Sequence, residues 1–262
     1  MYSFEFERPA SIDEAVAALS VSGAQALAGG QTLIPTLKNR LASPSVLVSV
    51  SAIPELKGVS VSGGAVVVGA AATHAEVAEA AADGFPALAY LAGNIGDPAV
   101  RNRGTVGGSI ANNDPSACYP AAALATGATI VTNSRRIGAD DFFIDIFETV
   151  LEEGELITSV EFPIPDAANY QKFEQPASRF ALVGAFVSRF DTGARVAITG
   201  AADSGAFRWT DVEEALDNEF SAAAVADLSV DVDGMIADIH GSQAYRAHLV
   251  RVMTRRAVEA CQ

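Results

Sequence analysis

The sequence predicts an α+β protein whose helices and strands mix without the regular βαβ alternation of a parallel sheet. Three observations carry this. A short β-α-β-like unit closes near Ser51. Next, Val59-Ser60-Val61-Ser62 and Ala65-Val66-Val67-Val68-Gly69 flank Gly63-Gly64, a hairpin signal. Beyond residues 163–168 the pattern changes to long strands followed by helices.

The elements follow in order. Ser11-Ile12-Asp13-Glu14 has the capping-box pattern and leads into a helical run, Ala15 to Leu19. Gln25 to Ala28 reads as a short strand, Thr32 to Leu41 as a helix, and Val46 to Val50 as a β-rich run. After the hairpin, Thr73-His74-Ala75-Glu76 is a second capping box, opening an alanine-rich helix toward Ala82. Pro86 to Ala92 reads as another helix, and Ala121 to Ala125 as a short one. Strand signals resume at Ala128 to Val131 and at Leu156 to Phe162, where Pro163 and Pro165 end them. Pro163 to Ala168 reads as a linker. Phe180 to Phe190 and Arg195 to Ala201 are long strands. Ser242 to Ala260 is a terminal helix, with Arg251, Arg255 and Arg256 toward its C-terminal end, where they complement the dipole.

With 262 residues, half of them hydrophobic, the chain can build two modest domains with their own cores. A net charge of -15 argues against nucleic acid and anionic membrane surfaces as partners. A phosphate ligand must then be held by local donors, because the overall field repels anions. Cys118 and Cys261 lie far apart and form no CxxC pair, so they build no disulfide framework, zinc site or iron–sulfur cluster. Three histidines make a metal site improbable, and no Ser/His/Asp arrangement is visible. The first eight residues carry charges where a signal peptide needs an apolar core, and no apolar run approaches the roughly 20 residues of a membrane span. A cytoplasmic protein without a transmembrane segment is expected.

Two glycine-rich strings set far apart are the chain's most informative feature. Ala28-Gly29-Gly30-Gln31-Thr32 and Arg103-Gly104-Thr105-Val106-Gly107-Gly108-Ser109 each combine adjacent glycines with a hydroxyl residue beside an apolar run. Glycine permits positive φ and close backbone approach, and successive N–H groups in such turns converge into an anion site. Two of them suit a ligand with two linked phosphates, such as a dinucleotide. Ordinary turn-forming glycines are the plain alternative. Neither string is the GxGxxG pattern, and no GxxxxGK[ST] loop occurs, which argues against a Rossmann dehydrogenase or a nucleotide kinase.

The longer string from Ile95-Gly96-Asp97-Pro98 through Asn102-Arg103-Gly104-Thr105-Val106-Gly107-Gly108 to Asn112-Asn113-Asp114-Pro115, together with the first string, resembles a known family. It is similar to the FAD-binding medium subunit of molybdenum hydroxylases, the family of aerobic carbon monoxide dehydrogenase and of the flavin segment of xanthine dehydrogenase. The likeness runs over essentially the whole chain, including Gly154 to Thr158 and Tyr170 to Gly184. It implies a vanillyl-alcohol-oxidase (PCMH)-type fold: an FAD-binding domain over residues 1–165, with α/β subdomains of about 1–55 and 56–165, and a C-terminal α+β flavoprotein domain over 169–262. By position it assigns Leu27, Ala28, Gly29, Gly30, Gln31, Thr32 and Leu33 to the first phosphate turn. Thr105, Val106, Gly107, Gly108 and Ser109 form the second. Ile34 and Ile157 become apolar neighbours of the flavin end, and Asp114 an acceptor for ribityl or ribose hydroxyls. An Asx turn before Pro115 is the alternative role for Asp114.

The chain departs from the family pattern at Cys118, where many relatives carry an acidic residue. If that acid bonds the cofactor, Asn113, Asp114 or water takes its place here. Lys172 is placed differently from the flavin-contacting lysine of some relatives. Arg101 and Arg103 fit phosphate partners by type, but bracing the turn or pairing with acidic residues is the favoured role. His74 reads as a first-turn helix residue and Trp209 as a core or interface residue. The resemblance implies no catalytic residue and no metal in this chain. Molybdenum–pterin belongs to a large partner subunit and two iron–sulfur clusters to a small one, in a heterotrimer or a paired hexamer. Electrons then leave through FAD to quinone, dioxygen or NAD. An FAD-free assembly subunit and a stand-alone flavin oxidase of the same fold are the rival readings.

Overall fold

In the computed structural model, which describes residues 1–261, the chain forms an α+β fold around three main sheets. It opens with β1 (Glu5–Glu7) and α1 (Ile12–Leu19). Ser11 Oγ accepts from Glu14 N, while the Glu14 carboxylate reaches back to Ala10 N instead of the cap residue, so the expected box closes one residue early. β2 (Ala24–Leu27), α2 (Leu33–Lys38) and β3 (Val46–Ser49) follow. β1 and β2 both pair in parallel with β3. The helix expected over 32–41 is shorter, because Asn39 ends it and Arg40 turns to φ +59°.

The second sheet is antiparallel. It is built from β4 (Val59–Ser62) and β5 (Ala65–Gly69), then, after helices α3 (His74–Ala80), α4 (Pro86–Gly93), α5 (Pro98–Arg101), α6 (Val106–Asn112) and α7 (Cys118–Thr126), from β6 (Thr129–Thr132) and β7 (Arg136–Gly138). After α8 (Ala139–Phe142) and the small β8 (Phe143–Asp145) and β9 (Glu148–Thr149) pair, β10 (Ile157–Pro163) returns to its centre, giving the order β4-β5-β10-β6-β7. Gly63 and Gly64 both take positive φ (+59° and +77°), as a two-residue hairpin of the primed type requires. α7 is longer than expected and buried at every position. An all-apolar helix belongs in the middle of a core. It packs against β10 on one side and β12 and β13, defined next, on the other.

The third sheet is the meander β11 (Ala167–Glu174), β12 (Ala181–Phe190), β13 (Gly193–Ala202) and β14 (Gly205–Arg208), backed by α9 (Thr210–Asn218) and α10 (Gln243–Ala260). The linker expected over 163–168 shrinks to 164–166, since Pro163 ends β10 and Ala167 starts β11. Tyr170, Phe186 and Ala197 of this meander join the core of the second sheet. Trp209 is in the core between the meander and its helices, as expected. The arginines of α10 lie upstream of its last turn, which holds no basic residue, so the expected dipole contact is not made.

Candidate functional site

β2 delivers the chain into the first glycine string. Gly30 sits at φ +71°, which few side-chain-bearing residues adopt, and α2 begins three residues later. The backbone N–H groups of Gly29, Gly30, Gln31, Thr32 and Leu33 find no acceptor among the described residues. Consecutive unpaired donors of this kind form an anion-binding concavity. Gly29 meets the second string directly: a Cβ there would lie 1.9 Å from Arg103 O and 2.8 Å from Gly104 Cα. The two motifs, distant in sequence, are joined backbone to backbone.

The second string is not the turn the sequence suggested. Thr105 caps α6, its Oγ1 accepting from Gly108 N (3.2 Å), and Val106 to Ser109 are helical. Its helical amides are already spent: Val106 N donates to Ala72 O, Gly107 N to Ala70 O and Ser109 N to Thr105 O, leaving Thr105 N without an acceptor among the described residues. The glycine at 107 serves close packing, since a Cβ would lie 2.6 Å from Ala70 Cβ. Two adjacent glycines argue against a helix by propensity; the Thr105 cap and the packing on β5 override it.

Both strings line one cleft of about 880 Å³, toward the upper end of small-molecule sites. Of the sequence-predicted residues, Leu27 to Leu33, Thr105, Gly107, Gly108, Ser109, Asp114 and Ile157 all line it. Val106 and Ile34 do not. Val106 is fully buried in the core, and Ile34 packs behind Gly30, its Cγ1 2.8 Å from where a Cβ of residue 30 would stand. Asp114 forms the Asx turn, its Oδ1 accepting from Ser116 N (2.8 Å), while still lining the cleft. That turn is anchored to the third sheet: Thr199 Oγ1 and Gly200 N both donate to Pro115 O.

Several lining residues were not found by sequence reasoning. Phe147, at φ +55° and exposed, stands in the β8–β9 connection that Asn113 pins through Nδ2 to Asp145 O and Glu148 O. Leu151 and Phe180 add apolar wall. Glu155 accepts from Arg135 Nε and Nη2, Thr132 Oγ1, Ser134 Oγ and Glu152 N. The Arg135 guanidinium, foremost, holds its pKa down at about 2, so it stays ionised and structural. Phe147 sits in a loop with no periodic signal, Phe180 reads as the first residue of a strand that in fact starts at Ala181, and Glu155 acquires its meaning only through Arg135. Among the described residues no lysine or arginine lines the cleft, so an anion there is met by backbone dipoles.

The other singled-out residues fall around the site. Arg101 braces its own loop, donating to Ile95 O and Gly96 O, as favoured. Arg103 offers its carbonyl, not its guanidinium, to the seam with Gly29. Cys118 points into the core, not the cleft, and burial raises its pKa. Lys172 Nζ donates to Asn94 O and Arg179 O. His74 opens α3 and is 4% exposed; burial, and then Arg101, push its pKa down to about 4. Among the described residues, no group of three or more His, Cys, Asp or Glu is placed to hold a metal ion, and no helix is long and apolar enough to cross a membrane.

A cleft of this volume, lined by unpaired amides, a capped glycine helix and apolar residues, fits a dinucleotide such as FAD. The comparisons agree. Residues 2–165 match the family described as the FAD binding domain in molybdopterin dehydrogenase. The chain is 34% identical to the carbon monoxide dehydrogenase medium chain of Hydrogenophaga pseudoflava, over 98% of this chain and 96% of that one. It is 33% identical to the nicotine 6-hydroxylase medium subunit of Paenarthrobacter nicotinovorans, with the same coverage. A chain of the reconstituted CO dehydrogenase from Oligotropha carboxidovorans superposes with a TM-score of 0.91 at 30% identity, over 99% of this chain and 98% of that one.

Proposed function

This chain belongs to the family of FAD-binding domains of molybdopterin dehydrogenases, and we propose that it is the electron-transfer subunit of a molybdenum-containing hydroxylase. It is an FAD-binding oxidoreductase subunit. FAD bound here would supply the redox chemistry that links iron–sulfur clusters of a small partner subunit to quinone, dioxygen or NAD as acceptor. Substrate and molybdenum–pterin belong to a large partner subunit. Relatives of nearly equal identity serve enzymes named for carbon monoxide and for nicotine, which supports a role for this chain that does not depend on substrate.

The chain's own residues bind and orient the cofactor. The amides of Gly29 to Leu33 hold the pyrophosphate, and their lack of any protein acceptor is the observation that carries the reading. Thr105, Gly107, Gly108 and Ser109 form the facing wall, where the amides of the last three are already committed within the fold. Asp114 keeps one carboxylate oxygen for a ribityl or ribose hydroxyl. Ile157, Leu151, Phe147 and Phe180 keep water from the apolar end of the ligand. Ile34 and Val106 support the two walls from behind. Residues 1–165 form the FAD-binding domain, and residues 169–262 the C-terminal domain that contributes to subunit docking, in a cytoplasmic complex.

An absorption spectrum of the purified complex, followed by acid release and chromatography, tests this. Flavin bands and released FAD, with two further polypeptides co-purifying, are the expected result. A colourless complex that takes up no added FAD would favour the assembly-subunit reading. A yellow chain active alone would favour the oxidase.

A further inference from the structure

His74 is a buried cleft residue whose side-chain hydrogen-bonding capacity the reading above leaves unused. Its backbone N–H donates to Gly104 O (3.0 Å), and Thr73 bridges Thr105, so the imidazole is fixed against the second glycine string. On its inner side the ring packs 5.4 Å from that of Tyr119. Nδ1 is buried without a partner, and no hydrogen bond among the described residues engages Nε2. Buried polar groups are nearly always paired. The ring is 96% buried yet lines the ligand cleft, so Nε2 can be satisfied from the cleft while Nδ1 stays unpaired.

The ring is neutral near pH 7, so it carries one N–H. On Nδ1 that proton would be a buried donor with no acceptor. On Nε2 it faces the space beside Gly104, where a Cβ would lie only 2.6 Å away. Any side chain at 104 would collide with this nitrogen, so glycine there lets the imidazole lie against the second string, with Nε2, unlike Nδ1, not among the buried unpaired atoms of a residue that lines the cleft. The other side of the same residue abuts Gly29, whose amides begin the unpaired row.

We propose that His74 is a further FAD-binding residue, donating Nε2–H to an oxygen of the cofactor's phosphate–ribityl backbone where the imidazole lines the cleft. The inference rests on the FAD reading above. FAD titration of the stripped and reassembled complex tests it with two variants. His74→Gln carries an amide N–H at the reach of Nε2; His74→Asn carries one at the reach of Nδ1. We expect H74Q to bind FAD within about threefold of wild type and H74N at least about tenfold more weakly. The FAD-free melting temperatures of the two variants should agree. His74→Leu, which keeps bulk and removes both nitrogens, should bind like H74N and replaces it if H74N does not fold. Equal affinities for all forms would overturn the assignment, as would parallel losses in H74Q and H74N, the mark of a packing role. A wild-type complex that binds no FAD would overturn both this and the FAD reading.

Discussion

The two glycine strings look alike as sequence and act differently as structure. Residues 28–33 form an open loop whose amides remain unpaired and whose Gly30 takes a positive φ. Residues 105–109 form the capped first turn of α6, with the amides of Val106 to Ser109 committed and the glycine at 107 spent on contact with Ala70. One string displays donors; the other lets two backbones and a helix come close enough to make the facing wall. Glycine content alone does not separate these roles. What separates them is where the N–H groups end.

The largest expected effect is at the joint between the strings. Gly29→Ala puts a Cβ inside Arg103 O and should cost about 3 kcal/mol or more. That is a fall of roughly 6–12 °C in melting temperature for a chain of this size, with FAD lost. An unchanged melting curve would mean the strings do not touch in solution. Acid tests the second string by itself, because His74 packs on Gly104. The unfolded chain protonates His74 near pH 6.5, but the folded one resists to about 4. The unfolded state thus binds more protons between these values, and stability falls as pH drops through them, by up to about 3 kcal/mol. Urea titrations at pH 7 and 4.5 should show this loss in wild type and a smaller one in H74Q.

Next, Gly107→Val and Gly30→Val should both abolish FAD retention, but for different reasons. G107V drives α6 off β5 and should cost about 2–3 kcal/mol. G30V strains a positive-φ residue and should cost about 1–2 kcal/mol, leaving most of the fold. Melting curves and flavin content of the two, measured together, decide it. Full flavin in G30V would remove the pyrophosphate from the first loop. Smallest is Asp114→Ala, expected to weaken FAD binding by less than about tenfold. An unchanged Kd would leave Asp114 only its Asx turn.

Much of the fold was legible locally. The Gly63-Gly64 hairpin and the Thr73-Glu76 capping box appear as read, because turn chemistry and caps are properties of adjacent residues. β11 was hidden because AANYQKFE alternates weakly and follows two prolines; it becomes a strand by pairing with β12. α6 was hidden by its glycines. At the site, the first loop and most of both strings could be placed from sequence. Their contact at Gly29, the pinned Phe147 and the unsatisfied His74 depend on residues far apart in the chain.

The Gly29 joint also limits how the chain can change. Most tight contacts in a core are between side chains, so a larger residue on one side can be offset by a smaller one on the other. Here the opposing atom is the carbonyl of residue 103, which every amino acid possesses. No second-site substitution at 103 can make room, and a suppressor screen of Gly29→Ala should return only true revertants at that codon.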